Sequence, residues 1–525
     1  MPRAWPAFCK ALGLAGILNR SGIALGEHRL ASPHSRLATR PAIGALLLMA
    51  KGFEVVLIST YDLGRQPFGL ASPAAWLRRA GAEVTCLDLS RESLPAERLR
   101  EADFIAFHVP MHTATRLAVE VLPVVRRLNA RATLGFYGLY APVNETYLRR
   151  QGASVILGGE FEEGLLSAVH RLWHSRDRIS PMDDDRAGTV SGAAEPSSGE
   201  AEPVISLARQ QFLTPDRSAL PPLERYAHLN HPGSQPRTVG YTEASRGCKH
   251  LCRHCPVVPV YAGHFRIVPA GIVLEDIRQQ VAAGAAHVTF GDPDFFNGIG
   301  HAVPIVRALH AEHPWLTYDV TIKIEHLLRH AEHLLTLRET GCLFVTSAVE
   351  SVDDRILTFL EKGHTCADFV RAAELCRSAG LVLSPTFVPF TPWTTLEGYA
   401  DLLSLIAGLD LVENVTPIQL AIRLLIPAGS RLLDLTEVRG LVEEFDEAHL
   451  FYPWSHPDPR VDALAERVER TVGAGSRKGA SRRALFRQVW ELARDAAGLS
   501  NERLPDLPLP QARATVPYLT EPWYC

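Results

Sequence analysis

No stretch of the chain approaches the ~18 consecutive apolar residues that a membrane-spanning helix needs. The longest apolar run, around Ala42–Ala50, is short and too far along the chain for a secretory core, so no integral membrane protein is expected. A basic excess is missing too. Lys and Arg total 54 against 58 Asp and Glu, a formal net charge of −4, which excludes a domain-wide nucleic-acid surface. Cysteine is scarce, with nine in 525 residues, so a disulfide scaffold is excluded and a reducing cytoplasm is the expected setting.

What remains is ordinary for a folded chain of several domains: 46% hydrophobic and 21% charged residues, with 38 Gly and 37 Pro marking many turns. Residues 1–52 stand apart. They carry several Arg, a single acidic residue up to position 48 (Glu27), and no alternation of strand and helix patterns. Three readings stay open: a poorly organised extension, a start at Met49, or a transit-type leader.

From 53 to 173 short apolar runs at Glu54–Ser59, Val84–Leu89, Phe104–Val109, Thr133–Tyr137 and Val155–Leu157 alternate with helical stretches. Such alternation predicts a doubly wound parallel sheet, which binds ligands beyond the carboxyl ends of its strands. Residues 174–214 read as a linker, because the run Ala193–Pro203 has too little bulk to offset its ordering entropy. A second alternating series fills 215–422, with strands expected at Tyr241–Ser245, His287–Phe290, Leu316–Ile322, Leu343–Val349, Val382–Phe387 and Val415–Leu420. Six strand–helix units predict a (β/α)6 partial barrel with its site at the strand C-termini. The fold class is thus α/β, and 423–525 reads as an accessory region.

Three of the nine cysteines, Cys248, Cys252 and Cys255, crowd a loop after the first barrel strand, in Glu243-Ala-Ser-Arg-Gly-Cys-Lys-His-Leu-Cys-Arg-His-Cys-Pro256. Three thiolates hold three irons of a 4Fe–4S cluster, where electron-transfer clusters use four, and leave one iron open for chemistry. Zinc with His250 or His254 as fourth ligand is the alternative, but no second ligand pair follows at a convincing spacing.

The Cys-x3-Cys-x2-Cys spacing on this loop, ahead of repeated strand–helix units, resembles the radical S-adenosylmethionine (SAM) enzymes. The resemblance implies a 4Fe–4S cluster on Cys248, Cys252 and Cys255 and SAM chelated at the open iron. It also implies reductive SAM cleavage to a 5′-deoxyadenosyl radical, and a one-electron donor such as flavodoxin or ferredoxin. Further implied SAM contacts are Gly291, Asp292 and Asp294 at the end of the second strand, Lys323 after the third, and Glu350 and Ser351 after the fourth. The plain reading of the segment Gly291–Asp294 is an Asp-Pro turn with Asp as a helix cap, that of Ser351 a helix N-cap, and that of Lys323 a surface lysine. Pro385–Pro392 replaces the glycine-rich segment common at the fifth strand.

A doubly wound domain ahead of such a barrel resembles the cobalamin-binding arrangement of a large subfamily. That implies cobalamin near Thr113, Gly158, Gly159 and Glu160. The Asp-x-His-x-x-Gly ligand motif is absent: the loop reads Asp62-Leu-Gly-Arg-Gln-Pro-Phe-Gly69, so no histidine of this loop is expected to ligate cobalt. His108 and His112 read as packed or surface residues. The tail, Val516-Pro-Tyr-Leu-Thr-Glu-Pro-Trp-Tyr-Cys525, resembles a narrower radical SAM group with a Cys-Cys-Ala-Glu-Pro or Cys-selenocysteine-Ala-Glu-Pro tail. The resemblance makes Cys525 a redox candidate and implies an in-frame UGA after it, followed by Ala-Glu-Pro codons. The expected function is cobalamin-linked radical chemistry, such as methylation of an unactivated centre. The alternatives are a cobalamin-free radical modification enzyme and a non-catalytic iron–sulfur redox sensor.

Overall fold

The central strands of the first sheet are buried on both faces, and their residues sort by parity. Val56, Ile58, Ile105, Phe107, Leu134, Phe136 and Ile156 pack into one core. Val55, Leu57, Phe104, Ala106, Tyr137, Val155 and Leu157 pack into another on the opposite face. That two-sided burial explains the near-continuous apolar runs and demands helices on both sides. The computed structural model describes residues 52–177, 201–499 and 513–521. The expected extension (1–51 of it) and Cys525 therefore lie outside the described residues.

The strands are β1 (Glu54–Ser59), β2 (Glu83–Asp88), β3 (Phe104–His108), β4 (Thr133–Tyr137), β5 (Val155–Gly159) and β6 (Ile205–Ser206), all parallel, in the order β2-β1-β3-β4-β5-β6. The order reverses between β1 and β3, which puts the ligand crevice of such a sheet at the loops after those two strands.

The segment expected as linker is ordered where it is described. The helix Phe161–Asp177 runs through its first residues, and Ile205–Ser206 adds a sixth strand. The reason is hydrogen bonding. The Gly158 and Glu160 amides at the end of β5 are buried, and they donate to the Val204 and Ser206 carbonyls at 2.7 and 2.8 Å.

The second sheet has seven strands in the order β14-β13-β12-β11-β8-β7-β15. Five of them, β8 (Arg237–Thr242), β11 (His287–Phe290), β12 (Thr317–Thr321), β13 (Cys342–Glu350) and β14 (Val382–Phe387), run parallel in sequence order and curl into a half-barrel. β7 (His228–Asn230) and β15 (Tyr518–Leu519) close the β8 edge in antiparallel fashion, so the C-terminal segment is built into the sheet.

The sixth expected strand, Val415–Leu420, does not form: Pro417–Leu420 is a 3-10 turn. Pro417 has no N–H to give a ladder. Side chains clamp the β14 edge instead: Gln419 Oε1 accepts from the Phe387 amide (3.0 Å), and Asn414 Nδ2 donates to the Leu383 carbonyl (2.7 Å). The helices Pro459–Arg477 and Arg482–Ala496 insert Leu464, Val468, Phe486 and Val489 into the barrel's main core, so residues expected to be accessory share it. Among the described residues no helix is long and apolar enough to cross a membrane.

Candidate functional site

The cysteine loop hangs between two short antiparallel strands, β9 (Ser245–Gly247) and β10 (Phe265–Ile267). Gly247 launches it at a φ of 74°, and a methyl group there would overlap the Tyr261 ring and the His264 carbonyl, so only glycine fits. The loop is braced from below: the Arg253 amide donates to the Leu360 carbonyl (3.0 Å), and the Arg253 guanidinium to the Phe359 carbonyl (2.8 Å) and Glu361 Oε1 (2.6 Å). Cys252 is buried, Cys248 and Cys255 are half-buried, and all three are free thiols. Burial, followed by the neighbouring Cys252, pushes the Cys255 thiol up to about 12. Three crowded thiols resist ionising together unless a cation compensates them, so the donor set fits an iron–sulfur cluster with one open iron.

Neither loop histidine completes a closed tetrahedral set with all three cysteines. His254 Nε2 lies 3.1 Å from Glu350 Oε1, and His250 lies between Asp294 (3.5 Å) and Glu325 (3.6 Å). Ligand atoms of Cys248, His250 and Asp294 do fall within 4.8 Å of one another, which keeps a small mixed metal set beside the loop.

Strand ends surround the loop. Asp292 accepts from the Ala244 amide (2.9 Å) and Ser245 Oγ (2.5 Å), tying β11 to the stem of the loop; its burial raises its pKa to about 7. Gly291 stands against the Tyr241 hydroxyl with no room for a side chain. Asp294 caps the 3-10 turn Phe295–Gly298 through the Phe296 amide, and its other oxygen lies 2.6 Å from His326 Nδ1. Burial, the largest influence, works against its charge, yet His250 and His326 bring its pKa to about 2. Lys323 donates its amide to Asp294 (3.4 Å) and holds its ammonium 3.7 Å from Glu325.

Glu350 ends β13 in the left-handed region, with a φ of 68°, a conformation that is strained for a residue with a side chain. Its Oε1 accepts from Lys362 Nζ (3.1 Å) and lies within reach of His254. Against the opposing effect of burial, Lys362 and then His254 lower its pKa to about 2. Ser351 accepts the Asp353 amide (3.1 Å), while Asp353 caps the helix Asp354–Phe359. Lys362 and His326 gave no sequence signal: no motif or periodicity sets them apart from any Lys or His near a turn.

The first sheet meets this loop at Arg246, two residues before Cys248. Its buried guanidinium pairs with Glu162 Oε1 (2.7 Å), Glu243 Oε2 (2.7 Å) and Glu160 Oε2 (3.4 Å), between the Phe68, Phe161 and Phe212 rings. Glu160 also accepts from the Tyr261 hydroxyl (3.2 Å). Gly158, Gly159 and Glu160 are thus engaged with β6 and with Arg246, and Thr113 lies half-buried in the first turn of the helix His112–Leu128. His112 Nε2 donates to the His449 carbonyl (2.6 Å).

At the switch point Ser59 and His108 are register partners on β1 and β3. Both are buried, and Ser59 Oγ and His108 Nδ1 have no hydrogen-bond partner among the described residues. Burial pushes His108 down to about 3, so its ring is neutral. Gly69 and Gly138 leave no side chain against that ring. Orphaned polar atoms in a glycine-lined crevice fit a polar ligand entering at the carboxyl end of the sheet, and cobalamin is of that kind.

Residues 242–403, from the end of β8 through the cysteine loop to the helix after β14, match the radical SAM superfamily. These residues form a radical SAM domain. Over 341 residues it is 26% identical to the hopanoid C-3 methylase of Methylococcus capsulatus, and the match spans 62% of this chain and 62% of that relative. A tRNA-2-methylthio-N(6)-dimethylallyladenosine synthase of Chlorobium chlorochromatii is 28% identical over 155 residues, 26% of this chain and 32% of its own length.

Among solved structures, the cobalamin-dependent SAM radical enzyme OxsB with aqua-cobalamin bound is similar over 82% of this chain and 68% of its own, with a TM-score of 0.62 and 15% identity. The radical SAM methyltransferase TsrM of Kitasatospora setae, solved with cobalamin and a 4Fe–4S cluster, is similar over 85% of this chain and 100% of its own, with a TM-score of 0.57 and 15% identity. At those identities the likeness is one of fold: a parallel-sheet domain ahead of a radical SAM half-barrel.

Proposed function

We propose that this protein is a cobalamin-linked radical SAM enzyme that transfers a methyl group to an unactivated centre of its substrate. Cys248, Cys252 and Cys255 would hold the cluster, and Asp294, Lys323, Glu350 and Ser351 the amino-acid and ribose ends of SAM. When bound, the cluster supplies the electron that cleaves SAM, drawn from a flavodoxin or ferredoxin, and cobalamin supplies a methyl carrier.

One observation carries this reading. The carboxyl end of the first sheet abuts the stem of the cysteine loop through Arg246, Glu160 and Glu162, so a ligand of that sheet edge and a ligand of the loop would be neighbours. A relative named as a methylase and a fold neighbour named as a methyltransferase support methyl transfer as the outcome. The chain's own residues exclude water from the stem: Arg246, Glu162 and Ser72 form a closed buried network.

The likeness of the tail to the Cys-Cys or Cys-selenocysteine group supports Cys525 as a redox group. The described tail ends at Glu521, paired with Arg91 at 3.3 Å and packed on Gly64 of the β1 loop.

Anaerobic reconstitution with iron and sulfide, followed by SAM and dithionite, tests the reading. Formation of 5′-deoxyadenosine is expected. A cluster that forms without SAM cleavage would instead support a non-catalytic iron–sulfur protein.

A further inference from the structure

The inner wall of the half-barrel differs from that of a packed barrel. Inward positions of barrel strands are ordinarily filled by bulky branched residues. Here the cross-strand register lines up Thr289, Asp319 and Phe344 in one row, and Thr321, Thr346 and Ser384 in the next, with Thr386 beyond them. These hydroxyls line an open cleft. Its far wall is made by Arg482 of the helix Arg482–Ala496, by Tyr518 of β15, and by Arg65 of the loop after β1.

Arg482 is the informative residue. It is 5% exposed, yet no carboxylate pairs with it among the described residues. One guanidinium nitrogen donates to the Glu413 carbonyl, and the Tyr518 ring lies 5.0 Å from the guanidinium carbon. The Glu413 carboxylate is taken by Arg483 (2.6 Å) and by the Thr515 amide (3.0 Å). Asp319 is likewise occupied, by His287 Nε2 (2.9 Å) and Thr289 Oγ1 (2.6 Å). A buried guanidinium without a direct ion-pair partner is expensive to maintain, and an anionic ligand would relieve it. Burial pulls its pKa down to about 10, against partial compensation by the nearby Glu413 carboxylate.

Two further observations point the same way. Thr386 is 5% exposed and lines the cleft, and its Oγ1 has no hydrogen-bond partner. The Arg65 guanidinium lies 4.8 Å over the Tyr241 ring, with the nearby Asp62 carboxylate its electrostatic partner and no side-chain ion pair within 4 Å among the described residues. Two guanidinium forks facing one cleft match the planar or tetrahedral oxygens of a carboxylate or phosphate.

We propose that the barrel lumen is an anion-recognising substrate site, in which Arg482, assisted by Arg65, holds a carboxylate or phosphate group and Thr386, Ser384 and Thr346 bind neighbouring polar atoms of a small hydroxylated molecule. The proposal rests on the radical SAM reading above and adds the substrate class to it.

Isothermal titration of the reconstituted full-length protein tests it, with glycerate as the carboxylate probe, glycerol 3-phosphate as the phosphate probe and glycerol as the neutral control. At least one anion is expected to bind and glycerol is not, and the tighter anion identifies the group. Arg482→Gln should weaken that binding at least tenfold, and Arg65→Gln and Thr386→Val by smaller factors, with iron content and circular dichroism unchanged. Should Arg482→Gln fail to fold, the Arg65 and Thr386 variants carry the test.

Absence of anion binding, glycerol binding as tight as that of the anions, or folded variants with unaltered affinity would overturn the proposal. The titration contains neither SAM nor reductant. SAM cleavage without anion binding would therefore sink the subsite alone, and anion binding without SAM cleavage would sink the enzymatic reading alone.

Discussion

Cys252 is the most buried of the three clustered thiols, and its carbonyl accepts the Cys255 amide at 3.2 Å, so it anchors both the donor set and the loop turn. Cys252→Ala should lose most of the iron and all SAM cleavage, read by iron assay and 5′-deoxyadenosine formation; unchanged iron and turnover would remove the assignment. A second residue-scale expectation concerns buried imidazoles. His108 and His112 have folded pKa values depressed by burial to about 3 and about 4. The unfolded chain therefore takes up protons that the folded chain refuses. Their contribution to stability is intact above about 6.5 and is lost progressively as the pH falls toward 3, at about 1.4 kcal/mol per pH unit for each group. Buried carboxyls such as Asp292, raised to about 7, act in the opposite direction over that window, so the test is the difference between variant and parent: the urea midpoint of His108→Asn should rise relative to the parent as the pH falls from 6.5 toward 4. A parent–variant difference independent of pH between 6.5 and 4 would contradict it.

The strand β9 carries both the stem of the cysteine loop and the ion cluster that joins it to the first sheet. Arg246→Met leaves Glu160, Glu162 and Glu243 buried without their counter-charge, a change that costs about 3–5 kcal/mol for a buried pair broken on one side. The variant should unfold at lower denaturant and bind less iron, because the stem two residues before Cys248 loses its anchor. Adding Glu162→Gln should restore part of the stability. Equal midpoints for Arg246→Met and the parent would show that the network is not structural.

Arg246 was invisible as an anchor in the sequence, where it reads as one more basic residue in a Cys-rich loop. Its three partners lie 3, 84 and 86 residues away. Elements with strong local signals were legible: the runs at Glu54–Ser59, Thr133–Tyr137, His287–Phe290 and Val382–Phe387 form strands at those bounds. The run Val415–Leu420 looked like another such strand, but Pro417 and the reach of Gln419 decided otherwise. The two-residue strands β6 and β15 are too short for any periodicity to announce them. At the site, the cysteine spacing announced the donor loop. The Glu350–Lys362 pair and the inward row of hydroxyls needed the register of the sheet.

At the scale of the whole molecule, the first sheet presents its carboxyl edge to the loop that carries the thiols, and the tail returns to close the far edge of the half-barrel. If cobalamin enters the β1–β3 crevice, the full-length protein should bind hydroxocobalamin, and its cob(II)alamin form should show no nitrogen splitting from a protein imidazole in electron paramagnetic resonance. The loop Asp62–Gly69 has no histidine, and the His108 ring lies beneath Gly69. Clear imidazole splitting would contradict that geometry. The central claim is radical SAM chemistry at Cys248, Cys252 and Cys255, and the most direct measurement is product analysis of anaerobically reconstituted protein given SAM and dithionite. The account predicts 5′-deoxyadenosine from the parent protein and none from Cys252→Ala; a fully loaded cluster that leaves SAM intact would contradict it.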